Sequence, residues 1–86
     1  MSHYFYTFLN FHIPMYMAQG IRRYIDEHVP PGDFLEAIIC NKLKEAVQYA
    51  DDENLQNIQA YVSYFYNKAP LDCWGSPEKF KKWVTN

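Results

Sequence analysis

The chain has 86 residues, 49% of them hydrophobic, and a formal net charge of −2. That length predicts one small domain that buries roughly 60–65% of the surface of its unfolded chain, and the hydrophobic content favours folding over disorder. The slightly acidic balance argues against a protein whose main task is non-specific neutralisation of phosphates.

Residues 1–12, M-S-H-Y-F-Y-T-F-L-N-F-H, are aromatic on both faces. Read as a strand, Tyr4, Tyr6 and Phe8 share one side, and Phe5, Leu9 and Phe11 the other. Strand propensity is high here, yet no other stretch offers itself as a partner. The open alternatives are pairing with the same strand of a second copy, an arm laid over the core, or a short helical turn. So many aromatic side chains are a liability in water, so packing on something is expected. The stretch has no basic n-region and no small-residue cleavage site. Its apolar run falls far short of the ~20 residues of a membrane span. No signal peptide and no membrane segment are expected.

Pro14 fits the first position of a helix with Met17, Ala18, Ile21, Tyr24, Ile25 and His28 on one face. Gln19, Arg22, Arg23, Asp26 and Glu27 fall largely on the other. Gly20 sits mid-helix, where it costs about 1 kcal/mol relative to alanine and lets a neighbouring helix come close. Val29-Pro30-Pro31-Gly32 ends this helix, because a residue before proline is pushed out of the α region. The clearest helix start of the chain follows, with Asp33 as cap and Glu36 as its capping-box partner. Leu35, Ile38, Ile39, Leu43, Ala46 and Val47 then recur at helical spacing, predicting one central helix to about Tyr49 or Ala50 that buries this stripe.

Asp51 caps a third helix whose acidic first turn complements the helix dipole. Its predicted buried stripe is Leu55, Ile58, Val62 and Phe65, and Asn67-Lys68-Ala69-Pro70 stops it. Ser76, Pro77 and Glu78 make a cap, a first-turn proline and a first-turn acid. The last helix runs to about Val84, with Phe80, Trp83 and Val84 inward and Lys79, Lys81 and Lys82 outward. Trp74, in the loop before it, is expected to cover one end of the core. The predicted fold is therefore all-α: a compact bundle of about four short helices spanning residues 13–86, with an aromatic N-terminal arm over 1–12.

A longer pattern runs through these elements. It reads I-P-x-Y-M-x-x-G-I-x-R-Y-I from Ile13 to Ile25, P-P-G-x-F-L-x-A from Pro30 to Ala37 and N-x-L-x-E-A-V from Asn41 to Val47. It continues as A-D-x-E-N from Ala50 to Asn54, Y-N-x-A-P from Tyr66 to Pro70 and C-W-G-S-P-E from Cys73 to Glu78, and closes with Trp83. This resembles a family of small uncharacterised proteins of bacteriophages and prophages of Gram-negative bacteria, over residues 13 to 84. The first twelve residues depart from the family pattern. The family brings no activity and no catalytic residues to carry over. The resemblance implies a setting, a phage product acting in a bacterial cytoplasm.

Candidate chemistry is sparse. Cys73 ahead of a helix N-terminus could be an activated nucleophile. The plainer reading is that Trp74 plugs the core, Gly75 turns and Ser76 caps, since no histidine has a fixed sequence relation to Cys73. His3, His12, His28, Cys40 and Cys73 match no metal-ligand spacing. His28 reads as a C-terminal dipole partner, and the two cysteines as reduced thiols. Asp51, Asp52 and Glu53 could hold a divalent cation, but an acidic helix start is the simpler reading. Neither metal nor cofactor is expected. The best binding constellation is Arg22, Arg23 and Tyr24 with Tyr4 and Tyr6. Guanidinium beside aromatic faces suits phosphates and bases and equally suits protein–protein hot spots. The plain alternative is a solvated helix face with ordinary core aromatics.

The leading expectation is a non-enzymatic accessory protein that binds a host bacterial protein and inhibits or redirects it. The alternative is an oligomeric small-ligand binder that sequesters a signalling nucleotide, for which a homo-oligomer with arginines across its interface would be suited. A nucleic-acid-binding regulator ranks third, because three carboxylates at the start of the third helix would face the phosphates.

Overall fold

The computed structural model describes residues 3–85. It corrects the all-α expectation: the aromatic arm, whose residues 1 and 2 lie outside the described residues, supplies the first strand, the turn and the start of the second strand of a β-hairpin, so the fold is mixed α and β. Strand β1 (Tyr4–Phe8) pairs antiparallel with β2 (Phe11–Pro14), with Tyr6 opposite Ile13, Thr7 opposite His12 and Phe8 opposite Phe11. A bulge interrupts the register between Tyr4 and Tyr6. The partner strand is thus the very next segment. It was hidden because its turn is Leu9-Asn10, and Leu9 adopts φ 54°. Two-residue hairpin loops need such positive φ values and usually use glycine, asparagine or aspartate to reach them. Pro14 is the last residue of β2 and not the first of a helix; Met15–Met17 then form a 3₁₀ turn leading into α1 (Ala18–Glu27).

The expected central helix is two helices, α2 (Asp33–Ile39) and α3 (Leu43–Tyr49). Asn41, at φ 62°, turns the chain. Its N–H donates to the Ile38 carbonyl at 3.1 Å and that of Lys42 to the Ala37 carbonyl at 2.8 Å, the paired bonds of a Schellman helix end. Asp33 is inside α2, whose cap is Gly32 with no side-chain bond. The third helix is likewise split at Asn57 into α4 (Asp52–Gln56) and α5 (Ile58–Lys68). A 3₁₀ turn at Leu71–Cys73 leads to α6 (Pro77–Val84). Two caps stand where the sequence puts them. Asp51 Oδ1 accepts the Asn54 N–H at 2.7 Å, and Ser76 Oγ accepts that of Lys79 at 3.1 Å.

The core lies where α1, α2, α5 and α6 converge with β2. Ile13, Ile21, Tyr24, Ile39, Tyr61 and Phe65 are its largest fully buried side chains, each contributing on the order of 1.5–3 kcal/mol by leaving water. The hairpin lies on α5, with the Phe5 and Tyr6 rings 5.1 and 5.3 Å from that of Tyr64 and the Tyr6 hydroxyl 2.7 Å from Ser63 Oγ. Asn57, buried at the α4–α5 joint, accepts the outward N–H of His12 at 2.8 Å and donates to the Glu53 carbonyl at 2.8 Å. Gly20 does face α2. A Cβ there would lie 3.5 Å from Leu35 Cδ1, an ordinary contact. Among the described residues no helix is long and apolar enough to cross a membrane.

Candidate functional site

The five residues singled out in the sequence do not share one face. Tyr24 is completely buried. Its hydroxyl donates to the Cys73 carbonyl at 2.5 Å, its ring stacks on Phe80, and its carbonyl accepts the Trp83 indole N–H at 2.8 Å. It ties α6 to α1. Tyr4 is exposed and stacks on the His12 ring at 3.9 Å. Tyr6 is half-buried against Ser63 and Tyr64. Arg22 lies over the Phe5 ring with its guanidinium carbon 5.1 Å from the centroid, so the hairpin does bring an arginine and aromatics together. Arg23 is exposed, about 100° further round the helix.

The other sequence candidates are occupied by structural contacts. Cys40 and Cys73 are buried free thiols. Burial pushes the Cys73 thiol up to about 11 and the Cys40 thiol upward too, opposite to what an activated nucleophile requires. His28 takes a left-handed backbone at the end of α1. Its Nδ1 lies 2.6 Å from the Trp83 carbonyl; a carbonyl only accepts, so Nδ1 carries the proton. His12 Nε2 is 2.7 Å from Glu53 Oε2, and Tyr16 donates to Asp51 Oδ2 at 2.7 Å. Two of the three carboxylates considered for a cation, Glu53 and Asp51, thus hold the hairpin end and the turn after it onto α4. Among the described residues no three His, Cys, Asp or Glu side chains converge on one point.

The surface that stands out consists of residues assigned by periodicity to the core. Leu43 is 68% exposed, and Val47 and Val62 are each 45% exposed. The break at Asn41 rotates α3 so that only Ala46 of its stripe is buried. Of the stripe expected on the third helix only Phe65 is fully buried, and the other buried positions there are Asn54, Asn57, Ala60, Tyr61 and Ser63. Polar burial is tolerated because the partners are built in: Asn54 Oδ1 accepts the Tyr61 hydroxyl, and its Nδ2 faces Met17 Sδ at 3.7 Å. The consequence is a furrow of about 130 Å³ between α3 and α5, with Leu43, Ala46, Ile58, Val62 and Trp74 among its walls and Lys42 at its rim. Across α5, a second open groove of about 530 Å³ runs beside the hairpin, lined by Phe8, Val62, Tyr66 and Asn67 among others. Both depressions are mainly apolar. The signal that could have found them is Asn41 itself, an asparagine directly after an apolar run, where helices commonly end.

Compared with protein families, curated proteins and solved structures, the chain has no match.

Proposed function

We propose that this chain is a non-enzymatic binding protein that occupies a bacterial host protein, inhibiting or redirecting it in the cytoplasm, and that it docks through the furrow between α3 and α5. The observation that carries the reading is the apolar surface left facing water at and beside the furrow, Leu43 and Val47 on α3 and Val62 on α5, with half-buried Ile58 in its wall. A furrow walled by two helical stripes suits an amphipathic helix of a partner, whose anchors at helical spacing would fill it. Trp74 at its wall supplies the kind of side chain that dominates binding energy at interfaces. The phage resemblance supplies the host setting.

The test is affinity capture of the tagged chain expressed in a bacterial host, with quantitative mass spectrometry, and reassembly of the captured protein with the purified chain. The expected result is one stoichiometric host protein for the unmodified chain, reduced more than tenfold by Leu43→Asp with Val47→Asp. Equal capture by that double variant overturns the docking surface. Retention of a molecule of a few hundred daltons in place of a protein would put the nucleotide-binding alternative first.

A further inference from the structure

Among the described residues, no strand pairs with the outer edge of β1 at Thr7. The other side of the hairpin is closed: the His12 N–H points away from β1 and is bonded by Asn57 Oδ1. Thr7 is opposite His12. In an antiparallel pair, opposed residues either both turn their backbone groups toward each other or both turn them away. Thr7 therefore aims its N–H and C=O out from the free edge of β1, and its side chain is exposed. The sheet has only these two strands among the described residues. An edge that offers a donor and an acceptor from one residue is matched by one kind of occupant, another extended strand.

We propose that this occupant is a second copy of the chain, joined edge to edge through β1 about a two-fold axis to make a four-stranded antiparallel sheet. Three features favour a like strand. Tyr4–Phe8 contains no charge and no proline, so nothing in it repels itself, and the edge lacks the lysines and prolines that protect native edges. A two-fold centred on Thr7 lets it exchange both hydrogen bonds with the partner's Thr7 and sets Tyr6 opposite the partner's Phe8, an aromatic cross-strand pair made twice. Tyr6 and Phe8 both lie on the side of the hairpin that meets α5, through Ser63. The same operation therefore brings the groove of Phe8, Val62 and the 72% exposed Tyr66 against its own copy. One axis thus satisfies the open backbone groups and covers the adjoining apolar surface, as an isologous interface requires. The two surfaces share Ile58 and Val62 on α5, so this association is told apart from host docking at the residues each uses alone, Thr7 here and Leu43 there.

Sedimentation velocity and native mass spectrometry across micromolar concentrations test it. The unmodified chain is expected to dimerise. Thr7→Lys and Thr7→Glu, each placing like charges opposite each other across the axis, are expected to weaken the dimer at least tenfold. Both replace an exposed side chain, and circular dichroism checks that the fold is kept. Equal amounts of the two variants should restore a dimer of mixed mass. Thr7→Pro, which deletes the outward N–H but no bond to β2, should also give monomer. A monomeric unmodified chain, or a Thr7→Lys chain that dimerises as well as the original, overturns the proposal. Leu43→Asp should leave the dimer intact and Thr7→Lys should leave host capture per chain intact, so each reading fails separately.

Discussion

Two apolar surfaces of this protein look alike as patterns and differ in what they meet. Where α1, α2 and α6 converge, Ile21, Tyr24 and Ile39 are sealed, and each polar atom brought inside has a named partner: Tyr24 with Cys73, Trp83 with Tyr24, His28 with Trp83. Along α3 and the outer side of α5, Leu43, Val47 and Val62 repeat at the same helical spacing and stand in water. The difference teaches that an amphipathic stripe states a need for cover, while tertiary packing decides whether the chain supplies that cover. On one side it does. On the other, the surplus apolar surface is what a binding protein would present to a partner.

The sharpest way to break this comparison is to make the same truncation on both sides. Ile39→Ala should cost about 2–5 kcal/mol, because it leaves a cavity in a closed core. Leu43→Ala should stay within about 0.5 kcal/mol, because it removes a solvated side chain. Urea unfolding of the two variants measures both, and equal losses would mean that α3 is covered after all.

The sealed side should also fail in alkali. Burial raises the Tyr24 and Tyr61 hydroxyls well above the ordinary tyrosine range, whereas unfolded tyrosines ionise near pH 10. A raised folded-state value means that this contribution is complete below about pH 10 and is lost as pH climbs above it. The expected slope is about 1.4 kcal/mol per pH unit for each tyrosine held neutral. Unfolding midpoints followed into alkali should show it, and Tyr24→Phe should flatten it; an unchanged slope in that variant would remove Tyr24 from the account.

The hairpin lies on α5, held by Asn57. Asn57→Ala deprives the outward His12 N–H of its acceptor and should cost about 1–3 kcal/mol. Hydrogen exchange at the His12 amide should accelerate more than at core amides of α2. The smallest effect is a gain. Gly20→Ala places a methyl at ordinary contact distance from Leu35 and should stabilise α1 by up to about 1 kcal/mol, visible as a raised melting temperature. A loss there would show that α1 and α2 approach more closely than this packing allows.

Local chemistry, which acts over three or four residues, was readable without any structure. Asp51 and Ser76 cap helices because an oxygen there meets an N–H three positions on. α1 ends at Glu27, with His28 left-handed, just ahead of the Val29–Gly32 stop that the prolines announce. The stripes Ile21–Tyr24 and Ile38–Ile39 do face the core. Arg22 could be suspected of meeting an aromatic, though not that the aromatic is Phe5. The tertiary structure alone decided three other matters. It paired the aromatic strand with the segment after Leu9-Asn10, a turn with no glycine to announce it. It halted α2 at Asn41, where a left-handed residue is one option among several until Gly75 bonds to Ile39 and fixes the neighbourhood. And it buried Asn54, Asn57 and Ser63 in place of Leu55 and Val62, because the hydrogen bonds of the first three come from Tyr61, His12 and Tyr6, and the last two partners lie in the hairpin, too distant in the chain for any periodic pattern to register.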